Sequence, residues 1–179
     1  MTRRTTQKPK NRNNTKKRPR RKPGPKPSKL GLKKKLDRAF SWYIRLTHAD
    51  EDGNCTCWTC GKVLPWYKIQ NGHFVSRRHF ACRWRPDNCR PQCYACNIAN
   101  SGEQWKFGKA LDAYYGEGHA DRLFRLANKP YKPTIEQYED YIEYYEGHVA
   151  TILARRIKRD RRERETIPAK IREALRIYK

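Results

Sequence analysis

Two cysteine pairs, Cys57-Trp-Thr-Cys60 and Cys93-Tyr-Ala-Cys96, bracket a segment that carries Gly72-His73-Phe74. Thiolates are soft donors, and two such pairs supply the ligands of a closed tetrahedral zinc site, whereas one pair alone would suit a redox motif equally well. Gly61, directly after Cys60, permits the tight turn of a zinc knuckle. The pattern therefore predicts a structural Zn²⁺ on Cys57, Cys60, Cys93 and Cys96, supplying folding energy that a small core lacks. Cys55, Cys82 and Cys89 read as small buried residues, although Cys55 stands close enough to Cys57 to compete for the ion. An imidazole can take a proton near neutral pH, and His73 precedes Arg77 and Arg78, so a proton acceptor is expected beside cations suited to phosphate. Asn88 lies ahead of the second pair and Asn97 directly after it; an amide oxygen is a hard ligand of the kind Mg²⁺ takes alongside several waters.

Charge narrows the partner. The chain has 179 residues and a formal net charge of +24. That length suits one modest folded domain plus unstructured sequence and excludes a large multi-domain enzyme. The charge calls for a polyanion, nucleic acid first and an anionic membrane surface second. Residues 1–35 hold 16 Lys or Arg and no acid, residues 36–150 hold 15 against 14, and residues 151–179 hold 11 against 4. The arm with its Lys-Pro and Arg-Pro steps cannot bury enough apolar surface to order itself. Its Lys16, Lys17, Arg18, Arg20, Arg21 and Lys22 are expected to bind phosphate through counterion release. No apolar run approaches the roughly 18 residues of a membrane span, so nothing is expected to span a bilayer, and with nucleic acid the favoured polyanion no membrane partner is expected. The polar start at Thr2-Arg3-Arg4 shows no apolar signal region, and the cysteines are read in a reducing cytoplasm.

The elements that must hold these residues follow from periodicity. Leu32, Leu36, Phe40, Tyr43, Ile44 and Thr47 recur at helical spacing and predict an amphipathic helix from Leu30 to about His48. Asn54 to Cys96 lacks helical period and suits short strands and loops held by metal. Ser101-Gly-Glu-Gln104 resembles a capping box, with Trp105, Phe107, Leu111 and Tyr114 as the apolar face of the helix it would open and Gly116 and Gly118 as its end. A short helix is expected at His119 to Ala127. Thr134 with Gln137 then caps a long helix whose buried side is Ile135, Tyr138, Tyr141, Ile142 and Tyr145, running on through Leu153 into a basic stretch whose Arg155 and Arg156 are expected to bind DNA. Ile167-Pro168 interrupts it before a last helix with Ile171, Leu175 and Ile177. The expected class is α+β. The chain divides into a disordered basic arm over 1–29, a zinc-containing domain over 30–150 and a basic helical extension over 151–179.

Cys57-Trp-Thr-Cys60-Gly61, Gly72-His73-Phe74, Arg83, Asn88, Gln92-Cys93-Tyr-Ala-Cys96-Asn97, Ser101-Gly102 and the Tyr-rich helix from Thr134 together resemble a zinc-containing HNH nuclease, of treble-clef or ββα-metal fold. More narrowly they resemble the lambda-phage NinG/Rap recombination family, over roughly 36–155. The resemblance implies an endonuclease that cuts branched, single-strand-containing or otherwise distorted DNA in the cytoplasm of a bacterial host. It implies His73 as general base, Asn97 at the position of a catalytic Mg²⁺ or Mn²⁺, Asn88 as the brace of the site loop, and a purely structural zinc. Arg77, Arg78 and Arg83 would position the DNA backbone. Two departures stand out: Gln70-Asn71-Gly72 occupies the place where many HNH sites carry a second metal ligand, and Arg90 stands where the NinG-like pattern has a histidine. Either water completes the ion's shell, or another residue such as His79 or Asp87 does.

Two other readings use the same composition. A non-catalytic zinc-binding DNA-binding or adaptor protein would employ the cysteines and the charge but has no use for His73. A homing or restriction HNH nuclease shares the chemistry, yet phosphate contacts from Lys and Arg carry little sequence information. Symmetrical cutting of a four-way junction calls for two active sites, so a two-fold homodimer is the geometric expectation, with the Tyr-rich helix as its interface.

Overall fold

In a computed structural model, which describes residues 28–159, 165 and 167–174, Ser28 caps the first helix by accepting a hydrogen bond on its hydroxyl from the Gly31 N–H at 3.1 Å. The arm's Lys16, Lys17, Arg18, Arg20, Arg21 and Lys22 lie outside the described residues, as do Leu175 and Ile177. The first helix, α1, spans Lys29–Thr47. Its buried surface is wider than the expected stripe: Leu32, Leu36, Ala39, Phe40 and Ile44 pack into one cluster, while Trp42 and Leu46 enter another. Thr47, expected on the apolar face, is exposed, and its hydroxyl donates back to the Tyr43 carbonyl at 2.9 Å. A helix clamped between two cores buries residues that a single-stripe pattern misses.

Two antiparallel hairpins follow. Strands β1 (Asn54–Thr56) and β2 (Val63–Pro65) pair around the turn that carries Cys57 and Cys60. Strands β3 (Gln70–His73) and β4 (Cys89–Gln92) pair with Gly72 opposite Arg90 and His73 opposite Cys89. Gly72 is dictated by its neighbour, because a Cβ there would meet the Gln92 side-chain oxygen at 2.0 Å. The connection between β3 and β4 contains the short helix α2 (Phe80–Arg83) and a single tight helical turn, Pro86–Asn88.

After β4 the chain makes a wide helical turn, Ala95–Ala99, then forms α3 (Gln104–Tyr115), α4 (His119–Ala127), α5 (Ile135–Arg159) and α6 (Ala169–Ala174). The capping box expected at Ser101 does not form. Glu103 occupies the cap in a left-handed conformation, and its carboxylate instead accepts from Asn100 Nδ2 at 2.9 Å and pairs with Lys106 at 3.1 Å. Phe107 and Leu111 are buried as expected, while Trp105 and Tyr114 are 74% and 66% exposed. The cap at Thr134 does form: Thr134 N–H donates to Gln137 Oε1 at 3.0 Å and Gln137 N–H to Thr134 Oγ1 at 3.2 Å. On α5, Tyr138, Ile142 and Tyr145 are buried, whereas Ile135 and Tyr141 are exposed.

Helices α1 and α5 run side by side in the same direction. Lys35 pairs with Glu146 at 3.1 Å, and Arg156 near the end of α5 donates to the carbonyls of Ala49 and Asp50 beyond the end of α1. Their seam joins both hairpins into the core. A third cluster, with Phe74, Val75, Cys82, Phe107, Leu111 and Leu123, fixes α3 and α4 against the β3–α2 connection. The architecture is α+β, helices flanking two small sheets. Among the described residues no helix is long and apolar enough to cross a membrane.

Candidate metal centre and adjoining cleft

The β1–β2 turn aims Cys57 and Cys60 at Cys93 and Cys96, which sit where β4 ends and the wide helical turn begins. The ligand atoms all lie within 4.8 Å of one another, and Cys60 Sγ is 3.7 Å from Cys93 Sγ. Zinc–sulfur bonds of about 2.3 Å require tetrahedral S···S edges of about 3.8 Å, so the spacing fits the ion. No disulfide joins them. Cys57 Sγ also accepts the Cys93 N–H at 3.3 Å. Burial pushes the Cys57 thiol up, yet hydrogen bonds from Thr59 and from the backbone N–H groups of Cys93, Thr59 and Cys60 outweigh it and hold the group to about 6. Cys96 moves the opposite way: despite a bond from Thr59, burial and the crowding of Cys60, Cys93 and Cys57 raise it. Thiolates this close repel one another, and a divalent cation removes that repulsion. Among the described residues this is the one metal-competent cluster of His, Cys, Asp and Glu.

The remaining cysteines serve packing. Cys55 is buried with its thiol donating to the Arg45 carbonyl at 3.0 Å, Cys82 donates to the Leu123 carbonyl at 3.4 Å, and Cys89 is fully enclosed. Burial raises all three thiols, Cys55 to about 11.

Beside the cysteine cluster lies a cleft of about 870 Å³ that brings His73, Asn97 and Arg77 together with Asn71, His79 and Phe124. His73, at the end of β3, holds its Nε2 3.0 Å from the Arg83 carbonyl. A carbonyl only accepts, so the ring proton belongs on Nε2 and Nδ1 is the basic nitrogen. Burial lowers the imidazole to about 4, outweighing the carbonyls of Arg83 and Asn71, while Arg77 and Arg83 lower it further. His73 is consequently neutral at pH 7, the form that accepts a proton. Asn97 donates through Nδ2 to Gln70 Oε1 at 2.7 Å, which leaves its own Oδ1 as the atom able to meet a cation.

Asn88 is fully buried and does not line the cleft. Its Oδ1 accepts the Val75 N–H at 2.7 Å, and its Nδ2 donates to the carbonyls of Val75 and Cys82, each at 3.0 Å. It ties the segment after His73 to α2. The three arginines expected on DNA separate: Arg77 lines the cleft, Arg78 lies exposed beside it, and Arg83 turns to α1, gripping Asp37 at 2.8 and 2.6 Å. At the far end of α5 Arg155 is exposed, whereas Arg156 grips the turn after α1.

Of the two residues considered for completing the metal shell, His79 lines the cleft and Asp87 does not; Asp87 pairs with Arg85 at 2.6 Å. Arg90 is 2% exposed, 4.8–5.1 Å from the ring centres of Trp58, Tyr114 and Tyr115, and donates to the carbonyls of Pro86 and Cys89. It braces the hairpin from inside. The sequence marked Gln70-Asn71-Gly72 only as a departure and gave Asn71 no role, yet its Oδ1 is buried without a partner in the cleft lining. The signal was alternation: Asn71 and His73 are two apart on one strand and share a face. Phe124 and Asn128 of the α4 region carried no comparable signal, because only the folded chain brings them to β3.

The family model described as "Bacteriophage Lambda NinG protein" matches residues 1–159. No curated protein and no solved structure matches the chain.

Proposed function

From the premise that the chain belongs to the bacteriophage lambda NinG family, we propose that it is a divalent-metal-dependent DNA endonuclease acting on branched or recombination-intermediate DNA. The observation that carries this reading is the meeting of His73, Asn97 and Arg77 in one cleft next to four clustered thiols. In this reading β3, β4 and the helical turn bearing the second cysteine pair form an HNH-type, zinc-stapled ββα-metal unit.

His73 takes the proton from an attacking water on Nδ1. The water oxygen bonds to phosphorus, the bond from phosphorus to the 3′-oxygen breaks, the departing oxygen takes a proton from solvent, and the products are a 3′-hydroxyl and a 5′-phosphate. Arg77 offers its charge to the phosphate, and Asn88 keeps the loop after His73 in place. Asn97 Oδ1, left free by the Gln70 contact, would be the protein ligand of a divalent ion, and the unpartnered Oδ1 of Asn71 on the same lining supports a polar ligand there. Mg²⁺ or Mn²⁺ bound there would polarise the scissile phosphate and stabilise the departing oxygen. Zinc on the four cysteines would serve the fold alone.

One observation favours a second reading. No carboxylate lines the cleft among the described residues, so a cation there would depend on neutral amides, water and the DNA phosphate. A non-catalytic zinc-stabilised DNA-binding protein needs no such ion. Purified protein incubated with linear duplex, flap, D-loop and four-way-junction DNA in Mg²⁺ or Mn²⁺ decides between them: the nuclease reading expects strand cuts in the branched substrates that chelator stops, and uncut DNA under every ion favours the binding protein.

A further inference from the structure

A second hollow, of about 610 Å³, adjoins the cleft and shares His79, Ala127 and Asn128 with it. The shared edge is a fixed one, since His79 Nδ1 sits 3.1 Å from the Ala127 carbonyl at the end of α4. Beyond that edge the lining includes Arg78, Lys129 and Lys132, together with Tyr131. Arg78, Lys129 and Lys132 are exposed. No acidic residue lines either hollow among the described residues. An aromatic ring stands in each: Phe124, 51% exposed and edge-on to Phe74 at 4.9 Å between ring centres, and Tyr131, whose hydroxyl is 3.4 Å from that of Tyr141.

We propose that the cleft and this second hollow are one continuous groove that holds a single unpaired DNA strand, its phosphates on Arg77, Arg78, Lys129 and Lys132 and its bases against Phe124 and Tyr131. Charge selects the occupant's class, because a groove with several cations and no lining acid suits a polyanion. The aromatic rings select its form. Bases in a duplex are already stacked on one another, whereas an unpaired strand offers free base faces to a protein ring. Cations tracking a backbone with rings interleaved are the arrangement that binds single strands without regard to sequence. The groove's direction towards His73 rests on the nuclease reading; the binding itself does not. If both hold, the groove places the unpaired strand of a branched substrate at the base.

The test uses the full chain and a fluorescein-labelled oligothymidylate, with a duplex of equal length as comparison and anisotropy as readout over a range of salt. Tyr131→Ala and Phe124→Ala are each expected to weaken oligothymidylate binding about tenfold, with duplex binding nearly unchanged. Lys129→Gln with Lys132→Gln is expected to lower the salt slope for the single strand by about 1.4, since each neutralised phosphate contributes about 0.7. Lys62→Gln with Lys68→Gln, exposed positions that line neither hollow, is expected to leave that slope unchanged. Unchanged zinc content and circular dichroism show that each variant is folded. Oligothymidylate affinity equal to wild type in both aromatic variants overturns the proposal, as does an equal loss for single strand and duplex. Should wild type cut no DNA while the aromatic variants still lose the single strand, the nuclease reading fails and the groove stands.

Discussion

The cysteine cluster and the cleft lie side by side in the fold but are built on opposite principles. The cluster is closed: four like side chains from two turns converge within 4.8 Å, and each pair is fixed by a local spacing of three residues. The cleft is open and composite. Its His73 comes from β3, Asn97 from the turn after β4, and Phe124 from α4. Stability is therefore concentrated at the thiols, where the surroundings require every member. The proposed chemistry draws instead on side chains brought together by tertiary packing.

The sharpest way to break that contrast is to attack the cluster. Cys93→Ser should unfold the domain, because the remaining thiols cannot complete a closed site and zinc binding in small domains contributes on the order of 10 kcal/mol. Loss of dispersed near-ultraviolet circular dichroism, and elemental analysis showing about one zinc per wild-type chain and none in the variant, check this. A variant that keeps its fold without zinc would remove the asymmetry between the two regions.

His73→Ala, by contrast, should leave zinc content and fold intact while lowering strand cleavage by about 10²- to 10⁴-fold, the usual loss with a positioned base. Asn88→Ala lies between the two regions in its effect. It strips partners from the Val75 N–H and from two buried carbonyls, and a destabilisation of about 2–4 kcal/mol is expected in urea unfolding. A loss below about 0.5 kcal/mol would mean that the loop finds other partners.

These differences also explain what the sequence disclosed. The thiol site was legible because ligand type and spacing determine it without long-range packing. The Thr134 cap and α4 were legible for the same local reason. The cap at Ser101 failed because the wide turn at Ala95–Ala99 carries the chain past it and hands the cap to Glu103. Arg83 and Arg156 were read from charge alone, which shows no partner in one dimension; the fold adds Asp37 and the carbonyls of Ala49 and Asp50 as their partners. Arg90, where a histidine was expected, proves to be a buried brace among three rings. Asn71 and Phe124 belong to the cleft by tertiary packing, and only alternation along β3 gave a hint of the first.

A smaller effect sharpens the account of His73. Its folded-state value of about 4 lies below the ordinary histidine value, so the folded chain binds fewer protons than the unfolded one between about pH 6.5 and 4. The native state should keep its full stability above that window and lose it progressively as the pH falls through it. Urea unfolding of wild type and His73→Gln across this range checks the sign: wild type should lose more stability than the variant, and parallel profiles would show that His73 titrates normally.

In the proposed function the cleft cuts DNA with His73 as base while the thiols only hold the fold. Single-turnover cleavage of a labelled four-way junction, by wild type and by His73→Ala matched for zinc content and junction affinity in Mn²⁺, tests it most directly. Chelator-sensitive cutting by wild type and a loss of at least about 10²-fold in the variant are expected. Equal rates for the two proteins, or no cutting by zinc-loaded wild type, would contradict it.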